Sequence, residues 1–220
     1  MHALYGQMVR FALLVNVVVA VMTVAATVRA AETVRIVAFG DSLTAGYGLK
    51  PDESFPARLE KSLKSRGHAV EVVNSGVSGD TTSAARERLD WAVPAGTHAV
   101  ILELGANDAL RGLPVERART NLDAILEGLR KRGVEVLLAG MRAPRNLGDT
   151  YANAFDAIFS DLASKHGVLH YPFFLAGVAL DPKLNLADGL HPNAAGIEVI
   201  TQRILPDVEK LIARVRAKRS

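Results

Sequence analysis

Cysteine is absent from the sequence. No disulfide framework, cysteine nucleophile, thiolate-bound zinc, iron–sulfur cluster or lipidated N-terminal cysteine is therefore available, and any chemistry must come from oxygen and nitrogen groups. Also missing are a dense cluster of histidines and carboxylates and a phosphate-binding glycine fingerprint, so neither a metal nor an organic cofactor is expected. The pentapeptide G-x-S-x-G does not occur, which argues against the nucleophile elbow of the α/β-hydrolase fold. No internal repeat, low-complexity tract or linker rich in Pro, Gly or Ser divides the chain. What is present is 220 residues, 49% hydrophobic and 22% charged, the composition of an ordinary globular protein.

Residues 1–30 stand apart. His2 and Arg10 precede an apolar run from Phe11 to Val28, and the segment ends in Val28-Arg29-Ala30. This is the layout of a secretory signal peptide cleaved after Ala30, which leaves residues 31–220 as one domain in the periplasm or outside the cell. An uncleaved membrane anchor is the rival, because a run of this length just spans a bilayer. Asn16 and Thr23 within the run, and the small Ala25, Ala26 and Ala30, favour cleavage, after which no stable membrane span remains. Losing the leader removes Arg10 and Arg29 and no acid, so 26 bases become 24 against 23 acids and the net charge falls from +3 to +1. The basic C-terminal residues Arg214, Arg216, Lys218 and Arg219 lack aromatic interleaving and read as a solvated helix end, so no nucleic-acid partner is expected.

From residue 32 onward short β-branched runs alternate with longer segments of helical period, the pattern of a parallel sheet with crossover helices. Strands are expected near 33–39, 69–74, 98–104, 134–140 and 168–171. Helices are expected near 55–66, 81–92, 115–132 and 150–166, with a last one over about 193–215 that Pro206 should kink or divide. Gly67, Gly133 and Gly167 each follow a helical run ending in a basic residue, as left-handed C-terminal caps would.

In an open parallel α/β sheet, ligands bind beyond the carboxyl ends of the strands. There the sequence places Gly40-Asp41-Ser42-Leu43, then Ser75-Gly76-Val77-Ser78-Gly79-Asp80, then Gly105-Ala106-Asn107-Asp108; Asp188-Gly189-Leu190-His191-Pro192-Asn193 precedes the last helix. These supply the parts for acyl transfer. Ser42 would be the nucleophile, His191 its general base, and Asp188 the acceptor that fixes the imidazole tautomer. The Ser42 amide, the Gly79 amide and the Asn107 carboxamide would form an oxyanion hole. Each alone has a plainer reading: Ser42 as a helix cap, Gly79 and Asp188 as turn residues, Asn107 as an Asx-turn, His191 as a surface histidine. Among the six histidines, only His191 has a carboxylate three residues before it. His68 and Glu71 would point to opposite faces of a strand, and His98, His166 and His170 lack a close acidic neighbour in sequence.

The segments GDSLTAGYGL (40–49), NSGVSGDTT (74–82), LGANDALRG (104–112) and DGLHPN (188–193) resemble the ordered blocks of the SGNH, or GDSL, hydrolases. Within that family the chain is similar to the bacterial thioesterase I, lysophospholipase L1 and arylesterase group, over about residues 33–212. By this resemblance Ser42, Asp188 and His191 match the catalytic triad. Gly79 and Asn107 match the oxyanion-hole glycine and asparagine, Gly79 being preferred over Gly76 because it precedes Asp80-Thr81. Ala106 stands where close relatives often have glycine.

The resemblance implies a flavodoxin-like α/β/α sandwich around a parallel sheet of about five strands, and a mobile loop over 142–150 shaping an acyl pocket. The expected function is hydrolysis of acyl or aryl esters, and of thioesters or lysophospholipids, through an acyl-enzyme. The apolar stretches Leu110 to Val115 and Phe173 to Leu180 are candidates for the pocket wall or for core. The alternative is a noncatalytic module binding a small ligand or an envelope partner, which gives no reason to keep Ser42, Asp188 and His191 together.

Overall fold

The computed structural model describes residues 32–219; the expected leader, residues 1–30, lies outside the described residues. Five apolar runs form the strands β1 (Val34–Gly40), β2 (Val70–Gly76), β3 (Ala99–Glu103), β4 (Glu135–Ala139) and β5 (Leu169–Tyr171). All pair in parallel, in the order β2-β1-β3-β4-β5. Ile36 to Phe39 and Ala99 to Leu102 are buried throughout, as central parallel strands covered on both faces must be.

The helices are α1 (Ser42–Ala45), α2 (Phe55–Ser65), α3 (Thr82–Glu87), α4 (Leu89–Ala92), α5 (Ala106–Leu110), α6 (Val115–Lys131), α7 (Asp149–His166) and α8 (Ala194–Arg219). α2 packs against α8 in one layer; α6 packs against α3 and α7 in the other. Edge-to-face aromatic pairs lie in the core, Phe55 of α2 with Phe174 after β5 at 5.0 Å and Phe155 with Phe159 along α7 at 5.7 Å. Residues 33–219 close this core on their own.

The strands and the helices α2, α6 and α7 agree with the sequence pattern to within about two residues, the last helix runs four residues past its expected end to Arg219, and Gly67, Gly133 and Gly167 all carry the positive φ of a left-handed cap. Two expectations need correction. The segment 81–92 forms two helices, because Arg88 leaves helical geometry where its side chain turns inward to buried acceptors. Pro206 does not divide the last helix: α8 runs unbroken from Ala194 to Arg219. Pro206 and Gln202 are both solvent-exposed, so the Gln202 carbonyl deprived of its N–H partner can be hydrated, while Ile204, Leu205, Val208, Leu211 and Ile212 stay buried on the opposite face.

Candidate active site

The strand order creates the site. The chain leaves β1 for β2 on one side and returns to β3 on the other, so the loops after β1 and β3 diverge and leave a crevice at their carboxyl ends. Ser42 opens α1 immediately after β1, and Asn107 lies in α5 just after β3.

Ser42 is nearly buried, and its Oγ lies 2.9 Å from His191 Nε2. The other ring nitrogen, Nδ1, is 2.7 Å from Asp188 Oδ2. Asp188 Oδ1 accepts the Leu190 and His191 amides at 2.9 and 3.0 Å, so one carboxylate folds the loop and orients the ring. These bonds hold the Asp188 carboxyl down at about 2. The loop itself is tied by Leu186 N donating to His191 O at 2.7 Å and by Asn193 N donating to Leu184 O at 2.9 Å. Tyr47 lies against the other side of the imidazole, its ring 4.5 Å away.

The turn from β1 to α1 depends on close packing. Gly76 at the end of β2 lies against Ala45, and a Cβ there would come within 2.2 Å of Ala45 N. Asp41 caps α1 by accepting the Leu43 amide at 3.0 Å, and its Oδ2 accepts from Asn107 Nδ2 at 3.2 Å. Burial raises the Asp41 carboxyl to about 6 despite these bonds. Behind it the fully buried Glu103 accepts from Thr44 Oγ1 at 2.8 Å, while its other oxygen has no partner among the described residues. Burial, and then the neighbouring Asp41 charge, push Glu103 well above the ordinary carboxyl range.

The three expected oxyanion donors have different surroundings. The amides of Ser42 and Gly79 donate to no acceptor among the described residues. Asn107 Nδ2 instead donates to Asp41 Oδ2 and, at 3.0 Å, to Asp80 O. The Gly79 carbonyl accepts from Arg111 at 2.9 Å, so the β2 loop is fastened to α5 and the residue after it. Gly105 takes the left-handed turn here (φ +111°) and Ala106 begins the helix, which explains why alanine is tolerated beside Asn107.

Sequence reasoning missed Asp41, Glu103 and Arg88. The nearly buried Arg88 pairs with Asp80 at 2.6 Å and donates to the carbonyls of Gly40 and Ser75 at 2.8 and 2.9 Å. It thereby locks together the ends of β1 and β2 and the loop of Gly79. A buried Asp directly before Ser42 in the GDSL block was the one available signal; for Arg88 and Glu103 no local pattern distinguishes them from surface charges.

A cavity of about 710 Å³ opens at Ser42 and His191, lined also by Leu43, Asn107, Leu110 and Phe173. Of the two apolar stretches, Leu110, Phe173, Leu175 and Leu180 line the cavity, whereas Phe174 and Val178 are core. The 142–150 segment forms part of the wall, and is pinned by Ala143 N and Arg145 on Asp156 at 2.9 and 2.6 Å. Among the described residues no group of His, Asp and Glu is arranged to hold a metal ion, and no helix is long and apolar enough to cross a membrane.

A parallel α/β domain with Ser, His and Asp in hydrogen-bonded sequence beside an apolar cavity has the form of an acyl-transfer enzyme. Residues 38–199 match the GDSL-like Lipase/Acylhydrolase family. The chain is 34% identical to esterase TesA of Pseudomonas aeruginosa, over 83% of this chain and 90% of the relative. It is also 34% identical to thioesterase 1/protease 1/lysophospholipase L1 of Escherichia coli K12, over 84% of this chain and 88% of the relative. The crystal structure of AlinE4, an SGNH-hydrolase family esterase, superposes with a TM-score of 0.69 at 47% identity, covering 81% of this chain and 96% of that one. The chain belongs to the GDSL-like lipase/acylhydrolase family and is a carboxylic ester hydrolase.

Proposed function

We propose that the protein cleaves acyl and aryl esters, and by the same route thioesters and lysophospholipids, through an acyl-enzyme on Ser42. The observation that carries this reading is the position of His191, 2.9 Å from Ser42 Oγ and 2.7 Å from Asp188. His191 Nε2 takes the Ser42 proton as Oγ attacks the carbonyl carbon, and returns it to the leaving alcohol or thiol. Asp188 stabilises the imidazolium and remains ionised. Water then attacks the acyl-enzyme by the same proton path in reverse.

The carbonyl oxygen gains charge as Oγ adds, and the unpaired amides of Ser42 and Gly79 supply two donors to meet it. Asn107 supplies the third by sharing or releasing its longer bond, the one to Asp41. The apolar wall accepts the acyl chain. No cofactor or nucleic acid enters this scheme, and the leader, cleaved after Ala30, would place the enzyme in the periplasm or outside the cell.

Hydrolysis of p-nitrophenyl esters from acetyl to dodecanoyl by residues 31–220 tests the reading, with Ser42→Ala as control. Turnover that disappears in the variant is expected. Turnover that persists in Ser42→Ala would overturn Ser42 as the nucleophile, and no turnover by either protein, together with a fluorophosphonate that does not label Ser42, would favour a binding module.

A further inference from the structure

Seven large hydrophobic side chains are exposed among the described residues, and their distribution is uneven. Leu110, Leu147, Leu180 and Leu190 stand at the mouth of the cavity, and Tyr47 lies against His191. Single exposed leucines are ordinary, but a ring of them around one opening is a patch. Leu180 is the most exposed, at 91%, and is also the one described non-glycine residue with positive φ, +66°. Backbone bonds on either side, Ala179 N to Leu175 O and Asp181 N to Val178 O, hold it in that conformation. Glycine or asparagine would relieve both the strain and the exposure, so stability does not account for leucine here.

The charged side chains that line the cavity have one sign, while the carboxylates of Asp181 and Asp188 stand just outside the lining, beside Leu180 and His191. No carboxylate lines the cavity, and its two arginines differ: Arg145 is neutralised by Asp156 at 2.6 Å. Arg142 is exposed with its guanidinium 4.9 Å over the Phe173 ring, and has no acidic partner among the described residues. A cation mounted on an apolar wall suits an amphiphile with a negative head.

We propose that this rim docks on the surface of an anionic lipid aggregate, with Leu147 and Leu180 entering the acyl layer and Arg142 meeting phosphate headgroups. The inference rests on the ester-hydrolase reading of the cavity, because docking brings the ester bond of a lipid to the opening above Ser42. Trp91, 69% exposed, is absent from the cavity lining and serves as an internal control.

The test is co-sedimentation of residues 31–220 carrying Ser42→Ala with vesicles of phosphatidylcholine, with and without phosphatidylglycerol. This stretch contains the whole core, and the AlinE4 structure matches it over 96% of its own length. Binding favouring the anionic vesicles is expected. Leu147→Ser with Leu180→Ser should lower the bound fraction by about fivefold or more, Trp91→Ser should not, and Arg142→Gln should remove the anionic preference. Circular dichroism melts matching the parent show that each variant is folded.

Failure to bind either vesicle, or an equal loss in Trp91→Ser, overturns the docking surface; an anionic preference that survives Arg142→Gln overturns the headgroup contact. Turnover of the water-soluble p-nitrophenyl butyrate by protein retaining Ser42 reports separately on ester hydrolysis. Turnover without vesicle binding therefore sinks the docking proposal alone.

Discussion

At the residue scale, the hydrogen-bonded line from Asp188 through His191 to Ser42 predicts strong coupling. Ser42→Ala or His191→Ala should lower kcat by about 10⁴-fold or more, and the double variant should be little worse than either, because the pair acts as one unit. Asn107→Ala should lower kcat by about 10²- to 10³-fold if its carboxamide meets the oxyanion. A loss under about tenfold would leave Asn107 as a tie between Asp41 and the Asp80 loop, the contacts it makes in this structure. Asp41 makes a prediction about pH. Its carboxyl lies at about 6 in the fold against 3.8 for the free group, so the folded state holds the proton more tightly. The resulting stabilisation is complete below the lower value and is lost as pH rises through about 6. Glu103, raised by the same burial, acts in the same direction. Urea midpoints should therefore decline between about pH 4 and 6 with a component that Asp41→Asn removes. The local sequence reveals Asp188 and His191 because one short loop carries both. A carboxylate partner alone does not single out this histidine: His166 lies 2.7 Å from Asp123 and His68 3.2 Å from Glu209, pairings that no local spacing indicates.

At the scale of elements, the β1–α1 turn and the long C-terminal helix are the informative cases. Gly76 has no room for a side chain against Ala45, so Gly76→Ala should destabilise by about 1–3 kcal/mol and displace Ser42, lowering both the urea midpoint and kcat. A variant that retains full activity would show that the turn can yield. Pro206 lies on the exposed side of α8, where it removes a backbone bond without disturbing buried neighbours. Pro206→Ala should thus raise stability by about 1 kcal/mol or more, read as a higher melting temperature at unchanged kcat. The proline signal was visible in the sequence, but its consequence was decided by which face of the helix it occupies. The broken segment at Arg88 shows the same principle, since distant carbonyls on β1 and β2 outweigh the local helical pattern.

At the scale of the whole molecule, one core joins both helical layers to one sheet, so residues 31–220 should unfold in a single cooperative step. Far-UV circular dichroism and the fluorescence of Trp91, the sole tryptophan, should report the same urea midpoint; separate transitions would reveal independent units. The sequence by itself determined the strand and helix succession, the glycine caps and the four blocks of polar residues, because these depend on periodicity and short-range backbone preference. Only the tertiary structure decided that Ser42 and His191, 149 residues apart, lie within 2.9 Å, and that Asp41 and Glu103 lose water while Arg88 spans three segments. Those outcomes depend on how the sheet order folds distant loops onto one edge, and burial of a charge is a property of that packing rather than of its neighbours in the chain.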